Sequence, residues 1–132
     1  MIDRLFNDSN LPLLEKMVRF AGARERVLAH DITNLSTPNF TPKDLSLDKF
    51  QAILQKQVAT KSTASPEADE EVEDALVPDE AGSNILFHDR NNRSVEQLMN
   101  DQANNALMHN MMIELMRKQF SQIQEALKER VT

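Results

Sequence analysis

Residues 94–131 read SVEQLMNDQANNALMHNMMIELMRKQFSQIQEALKERV, and this stretch decides the fold. It holds no Gly and no Pro. Leu, Met, Ala, Gln, Glu, Lys and Arg fill much of it, residues that lose little freedom in a helix. Ser94 followed by Gln97 has capping-box spacing, which places a hydroxyl where a backbone N–H of the first turn lacks a partner. From there Val95, Met99, Gln102, Ala106, His109, Ile113, Met116, Phe120, Ile123 and Leu127 step by four and three in alternation. That is a heptad seam, the pattern of a helix lying along another helix. Its second half is wholly apolar, and Gln102 and His109 dilute the first. Two readings of those polar positions stand side by side: buried groups that set register, or a seam that opens to solvent. A helix over 95–130 is about 54 Å long and needs partners along its whole length.

Four methionines, Met108, Met111, Met112 and Met116, surround this helix rather than keep to one stripe. A helix that is apolar all round is normally buried, so contact with more than one neighbour is expected. Ordinary packing in a single contact is the plainer alternative.

The chain offers one other long helix. Asn10 suits an N-cap and Pro12 a first turn, where N–H groups have no intrahelical partner. The helix is expected over 11–35, about 37 Å. Leu14, Val18, Ala21, Glu25, Leu28, Ile32 and Leu35 form its stripe, again alternating four and three. Leu13, Met17, Phe20 and Val27 make a second, adjacent row, enough for two partners, or for one partner and a second subunit. Gly22 costs about 1 kcal/mol relative to Ala and is read as letting another helix approach closely. The stop is sharp: Pro38 forces Thr37 out of helical geometry, and Asn39 suits the left-handed region. Asn34, Ser36 and Thr37 can satisfy loose backbone groups nearby.

With 132 residues, 40% apolar and only six aromatics, all Phe, one domain with a thin core is expected, stabilised by association. No Cys is present, which excludes a disulfide framework, a thiolate metal site and a cysteine nucleophile. The N-terminus shows no basic region followed by an apolar run, so no cleavable signal peptide is expected. No apolar run approaches the roughly 20 residues of a membrane-spanning helix, and no membrane insertion is expected. Residues 62–89 carry nine acidic side chains and no Lys or Arg, leaving twelve acidic against fifteen basic elsewhere. The net charge of −6 therefore belongs to one segment, which argues against nucleic acid as its partner.

The expected fold is mainly α. Two long antiparallel terminal helices, 1–35 and 94–132, form one coiled-coil-like helical domain. Residues 36–56 and 84–93 make a small extended region, in which 43–55, with Leu45, Leu47, Phe50, Ile53 and Leu54, could be an extended start followed by a short helical turn, and 84–88 could pair with the stretch after Pro42. Residues 57–83, rich in Thr, Ser, Ala, Pro and acid, show no periodicity and are expected to be a disordered acidic loop.

Little points to chemistry. His30-Asp31 and His88-Asp89 invite a metal-hydrolase reading, but a working site needs more ligands, and His109 is the only other histidine. There is no Gly-rich phosphate loop, no nucleophile motif and no paired carboxylates in a recognisable pocket. No enzyme activity, catalytic residue, metal or cofactor is expected.

Residues 24–40, Arg-Glu-Arg-Val-Leu-Ala-His-Asp-Ile-Thr-Asn-Leu-Ser-Thr-Pro-Asn-Phe, resemble the N-terminal motif of flagellar rod and hook proteins, Asn-Ile-Ala-Asn-x-x-Thr-Pro-Gly-Phe/Tyr. Ile32, Asn34, Thr37, Pro38 and Phe40 match, whereas Asp31, Thr33 and Asn39 depart from Asn, Ala and Gly. The short length, and the polar turn leading into a Val-Glu helix start, resemble the proximal rod members. The resemblance covers about 25–50 and 84–131 and leaves out 57–83. It implies a structural subunit of the bacterial flagellar basal body, exported through the flagellar type III apparatus and packed into the torque-transmitting rod. Implied partners are copies of itself, other rod proteins and the base of the axial structure, at the MS-ring and export-gate junction. Leu14, Val18, Leu28, Ile32, Met112, Ile113, Met116, Phe120, Ile123 and Leu127 would then carry packing, while Asn34, Thr37, Pro38 and Phe40 set the bend out of the first helix. A soluble helical adaptor or chaperone acting through helix pairing is the rival reading.

Overall fold

The structure, a computed structural model, describes residues 4, 6, 9–80 and 95–131. Among the described residues, four helices and one short ladder follow in the order α1 (Leu11–Asn34), β1 (Lys43–Asp44), α2 (Leu47–Ala59), α3 (Pro66–Ala75), β2 (Asp79–Glu80) and α4 (Val95–Val131). The fold is mainly α, and its two long terminal helices run antiparallel: Glu25 meets Gln102 and Ala21 meets Asn105.

Helix α1 has the expected span. Pro12 sits in its first turn, but Asn10 makes no side-chain cap bond. Ser9 acts there instead, its Oγ accepting from the Leu11 N–H at 3.3 Å. The α4-facing stripe of α1 follows the heptad reading. Leu14, Ala21 and Leu28 are buried, and Val18, Glu25, Ile32 and Leu35 are half-buried. Leu11 extends the stripe by one step.

The second row of α1 meets a partner inside the chain. Phe20 is fully buried in a cluster with Leu45, Phe50, Val72 and Ala75, flanked by Met17, Ala23, Val27, Ile53 and Leu54. Its ring stacks on Phe50 with centroids 4.1 Å apart. This core lies between α1 and an α2–α3 hairpin, which corrects two expectations. Residues 36–56 are extended only at 43–44, and the short helical turn expected by residue 55 is a full helix, α2, over 47–59. Residues 57–83 are not wholly a disordered loop, because 66–75 form α3. The cause is local and tertiary. Ser65 caps α3 by accepting from the Ala68 N–H at 3.2 Å, Pro66 opens it, and Glu67 and Asp69 sit in its first turn. Its apolar stripe is Ala68, Val72 and Ala75, all buried. Three small residues among six acids give a faint period, and packing against α1 and α2 makes it sufficient.

The acids of α3 are largely paired within the chain. Asp74 meets Lys49 at 2.8 Å, Glu73 meets Arg19 at 3.1 Å, and Glu71 meets Lys56. The Lys56 hydrogen bond, with help from Gln57, holds the Glu71 carboxyl below its ordinary range. Beneath them lies Lys16 of α1, 2% exposed. Its Nζ donates to Gln57 Oε1 at 3.2 Å and to the Thr63 carbonyl, and Asp69 lies 3.6 Å away. Buried Gln57 in turn donates from Nε2 to the Ala68 carbonyl at 2.9 Å.

The turn between the hairpin helices ends α2 with paired backbone bonds: Ser62 N–H to Gln57 O at 3.0 Å and Lys61 N–H to Val58 O at 3.2 Å. Lys61 itself has φ 53°, the left-handed position that such a cap requires. Strand β1 pairs antiparallel with β2, Lys43 opposite Glu80 and Asp44 opposite Asp79. The expected pairing partner, 84–88, lies outside the described residues, as do Ser94, the proposed cap of α4, and the rest of 84–93.

Candidate functional site

Helix α4 packs along α1, and the face it uses differs from the expected one by one row. Leu98, Asn105 and Met112 are buried, spaced by seven, and Gln119 continues them half-buried. Gln102, His109, Met116 and Ile123 complete this seam and are half-buried. The expected seam had that second row right from Gln102 on, though not at Val95, its first member. Its other row, Met99, Ala106, Ile113, Phe120 and Leu127, lies to one side of the contact and is only partly covered. Met99 is 54% exposed, Phe120 45% and Leu127 37%, while Ala106 and Ile113 are half-buried. Val95 is exposed as well.

The reason is polar. Asn105 donates from Nδ2 to the Ala21 carbonyl at 2.9 Å and to Glu25 Oε2 at 3.1 Å. Gln102 donates from Nε2 to Glu25 Oε1 at 3.0 Å. One half-buried carboxylate thus receives two turns of α4, and charge-assisted bonds of this kind are stronger than neutral ones. They draw a half-polar row inward and leave the apolar row outward. Gln102 therefore acts as a register group.

The remaining methionines divide. Met112 is buried and Met108 and Met116 half-buried, but Met111 is 59% and Leu107 71% exposed. Helix α4 thus carries apolar surface on two sides that the described residues do not cover. It also runs beyond the start of α1. Near that end Asn10, Leu13 and Leu14 face Leu115, Lys118, Gln119 and Gln122 across an open cleft of about 360 Å³. On the same stretch of α4, the Phe6 ring lies 6.4 Å from that of Phe120.

The segment after α1 is a compact stop. Asn34 donates from Nδ2 to the His30 carbonyl at 2.8 Å, and its own carbonyl accepts from the Thr37 N–H at 2.9 Å. The Thr37 carbonyl accepts from the Phe40 N–H at 3.2 Å, and the Phe40 ring returns to His30 with centroids 5.7 Å apart. Pro38 is exposed at the tip. Asn39 has φ 61°, the left-handed geometry read from the sequence. Two carboxylates then tie the returning chain to α1. Buried Asp31 accepts from the Lys43 N–H at 2.9 Å, and burial pushes its carboxyl above the usual range. Asp44 takes Arg24 in a bidentate pair, both bonds 2.9 Å. Its hydrogen bond holds the guanidinium above its ordinary value, outweighing the opposing effect of burial.

His30 and Asp31 lie 3.6 Å apart, but Asp31 is committed to the Lys43 amide. Among the described residues no group of three His, Cys, Asp or Glu could hold a metal ion. His88 and Asp89 fall outside the described residues. Among those residues, too, no helix is long and apolar enough to cross a membrane. No protein-family model matches the chain, and no curated protein matches it. Gly22, read as a point of close helix approach, has nothing within 4 Å of where a Cβ would stand.

Proposed function

We propose that this chain is a structural subunit of the bacterial flagellar basal-body rod, of the proximal kind. In this reading it passes through the flagellar type III export apparatus and packs its terminal helices against copies of itself and other rod proteins. Its place is at the base of the axial structure. It performs no catalysis and needs no cofactor. The observation that carries the reading is the outward row of α4: Met99, Phe120 and Leu127 stay exposed on a 37-residue helix that packs along a 24-residue one. Such a face is suited to lateral packing in a polymer of helices. The stop built from Asn34, Thr37, Pro38 and Phe40, in the positions of the rod/hook motif, supports the same reading.

The test is complementation. In a flagellated strain lacking this chain, the wild type should restore motility, and Met99→Glu with Leu127→Glu, both at exposed positions, should not, although the purified variant keeps its helix content and stability. Full motility of that variant would refute the assembly role.

The adaptor reading has one observation in its favour: the Phe20–Phe50–Val72 cluster gives the chain an internal core of its own. Sedimentation separates the two, since an adaptor acting by helix pairing should be a stable dimer in isolation and a rod subunit mostly a monomer.

A further inference from the structure

Helix α4 carries two overlapping seams that share the row Gln102, His109, Met116 and Ile123. The one in use adds Leu98, Asn105, Met112 and Gln119, and the other adds Met99, Ala106, Ile113, Phe120 and Leu127. We propose that α4 has two seatings on α1, related by a roll about its own axis, and that Glu25 holds the one observed. Neighbouring residues stand about 100° apart around a helix, so exchanging one added row for the other takes a roll of about 50° and no sliding.

By apolar content the unused seam is the better one. Every residue it adds is apolar. The seam in use adds two amides, and it buries Asn105 Oδ1 with no hydrogen-bond partner. Burial alone therefore favours the roll. What opposes it is the set of bonds at mid-helix: Gln102 and Asn105 to the two Glu25 oxygens, and Asn105 to the Ala21 carbonyl. A roll carries Asn105 out of the contact and brings Ala106 into it, and Ala106 can make neither of the Asn105 bonds. Glu25 thus keeps the apolar row turned outward, where another helix reaches it, and the rolled form hides it. The use of this device in assembly rests on the function proposed above, but its existence does not.

The chain has no cysteine, so engineered pairs report without interference. Two helical turns from the Ala21–Asn105 contact, antiparallel counting places Leu14 opposite Met112 when α4 is seated and opposite Ile113 when it is rolled. Leu14→Cys with Met112→Cys should oxidise rapidly in the purified chain. Leu14→Cys with Ile113→Cys should close about tenfold more slowly or worse. Adding Glu25→Ala removes two charge-assisted hydrogen bonds and should speed the 14–113 pair by about tenfold or more. Glu25→Gln keeps the volume, loses the charge and should shift the rates in the same direction. Circular dichroism checks that helix content is kept. A 14–113 rate that neither substitution changes would overturn the proposal. So would loss of the folded state in both variants, because no second seating would then exist. These rates are read on the isolated chain, so they are independent of whether the outer row packs in cells.

Discussion

Truncating α4 one row at a time tests its seating. Leu98 is fully buried and Met112 nearly so, whereas Met99, one position along the helix from Leu98, is more than half exposed. Leu98→Ala removes buried methyl groups and leaves a cavity, at a cost of about 2–4 kcal/mol. Met112→Ala belongs at the low end, about 2 kcal/mol, because a two-helix contact can partly close over the gap. Met99→Ala gives up surface that water already reaches and loses well under about 1 kcal/mol, offset in part by the better helix propensity of Ala. Ile113→Ala, half-buried, falls between. Urea unfolding followed by circular dichroism reads these differences as shifts in midpoint at unchanged slope. Equal losses at 98 and 99, or a larger loss at 99 and 113 than at 98 and 112, would mean that α4 is seated on the other row.

Three further outcomes follow from particular residues. Gly22→Ala should stabilise the isolated chain by about 1 kcal/mol, since helix propensity favours Ala and a Cβ meets nothing within 4 Å; a lower thermal midpoint would refute this. Lys61→Gly should also stabilise, by up to about 1 kcal/mol, by relieving a side chain held at φ 53°; a loss in the urea midpoint would contradict it. Asp31→Asn should stabilise at neutral pH and not in acid. Burial raises the Asp31 pKa in the native chain, so stability falls as pH rises through that value and the buried group must ionise. Below about pH 3 both states hold the proton and the advantage of Asn should vanish; a gain that grows on acidification would reverse the sign and sink the explanation.

The long helices were legible because each repeats its period many times. Helix α1 runs over the expected span, both of its apolar rows are real, and Asn39 adopts the expected left-handed turn. What stayed hidden was decided by distant partners. The second row of α1 left open whether its partner lay within the chain or in a second subunit, and Phe50 and Val72 supply it from within. The helix that carries Val72, α3, was obscured because acids outnumber its three small apolar residues, and those acids become ion-pair partners for Lys49, Arg19 and Lys56 only once the hairpin folds back. Lys16 is buried against every local expectation for lysine, because Gln57 and the Thr63 carbonyl meet it from another helix and its turn. On α4 the apolar row looked like the natural seam. The choice was made instead by Glu25, some 80 positions away from Asn105 in sequence.

The outward row of α4 is where the functional reading is most exposed to test. Photo-crosslinking residues placed singly at positions 99, 113 and 120 of α4, with exposed Ala59 on α2 as control, would read its neighbours in living cells. Adducts to a second copy of the chain or to another rod protein at the α4 positions, and none at 59, are expected. Cells in which 99, 113 and 120 give no adduct while the chain still supports motility would contradict the assembly face directly.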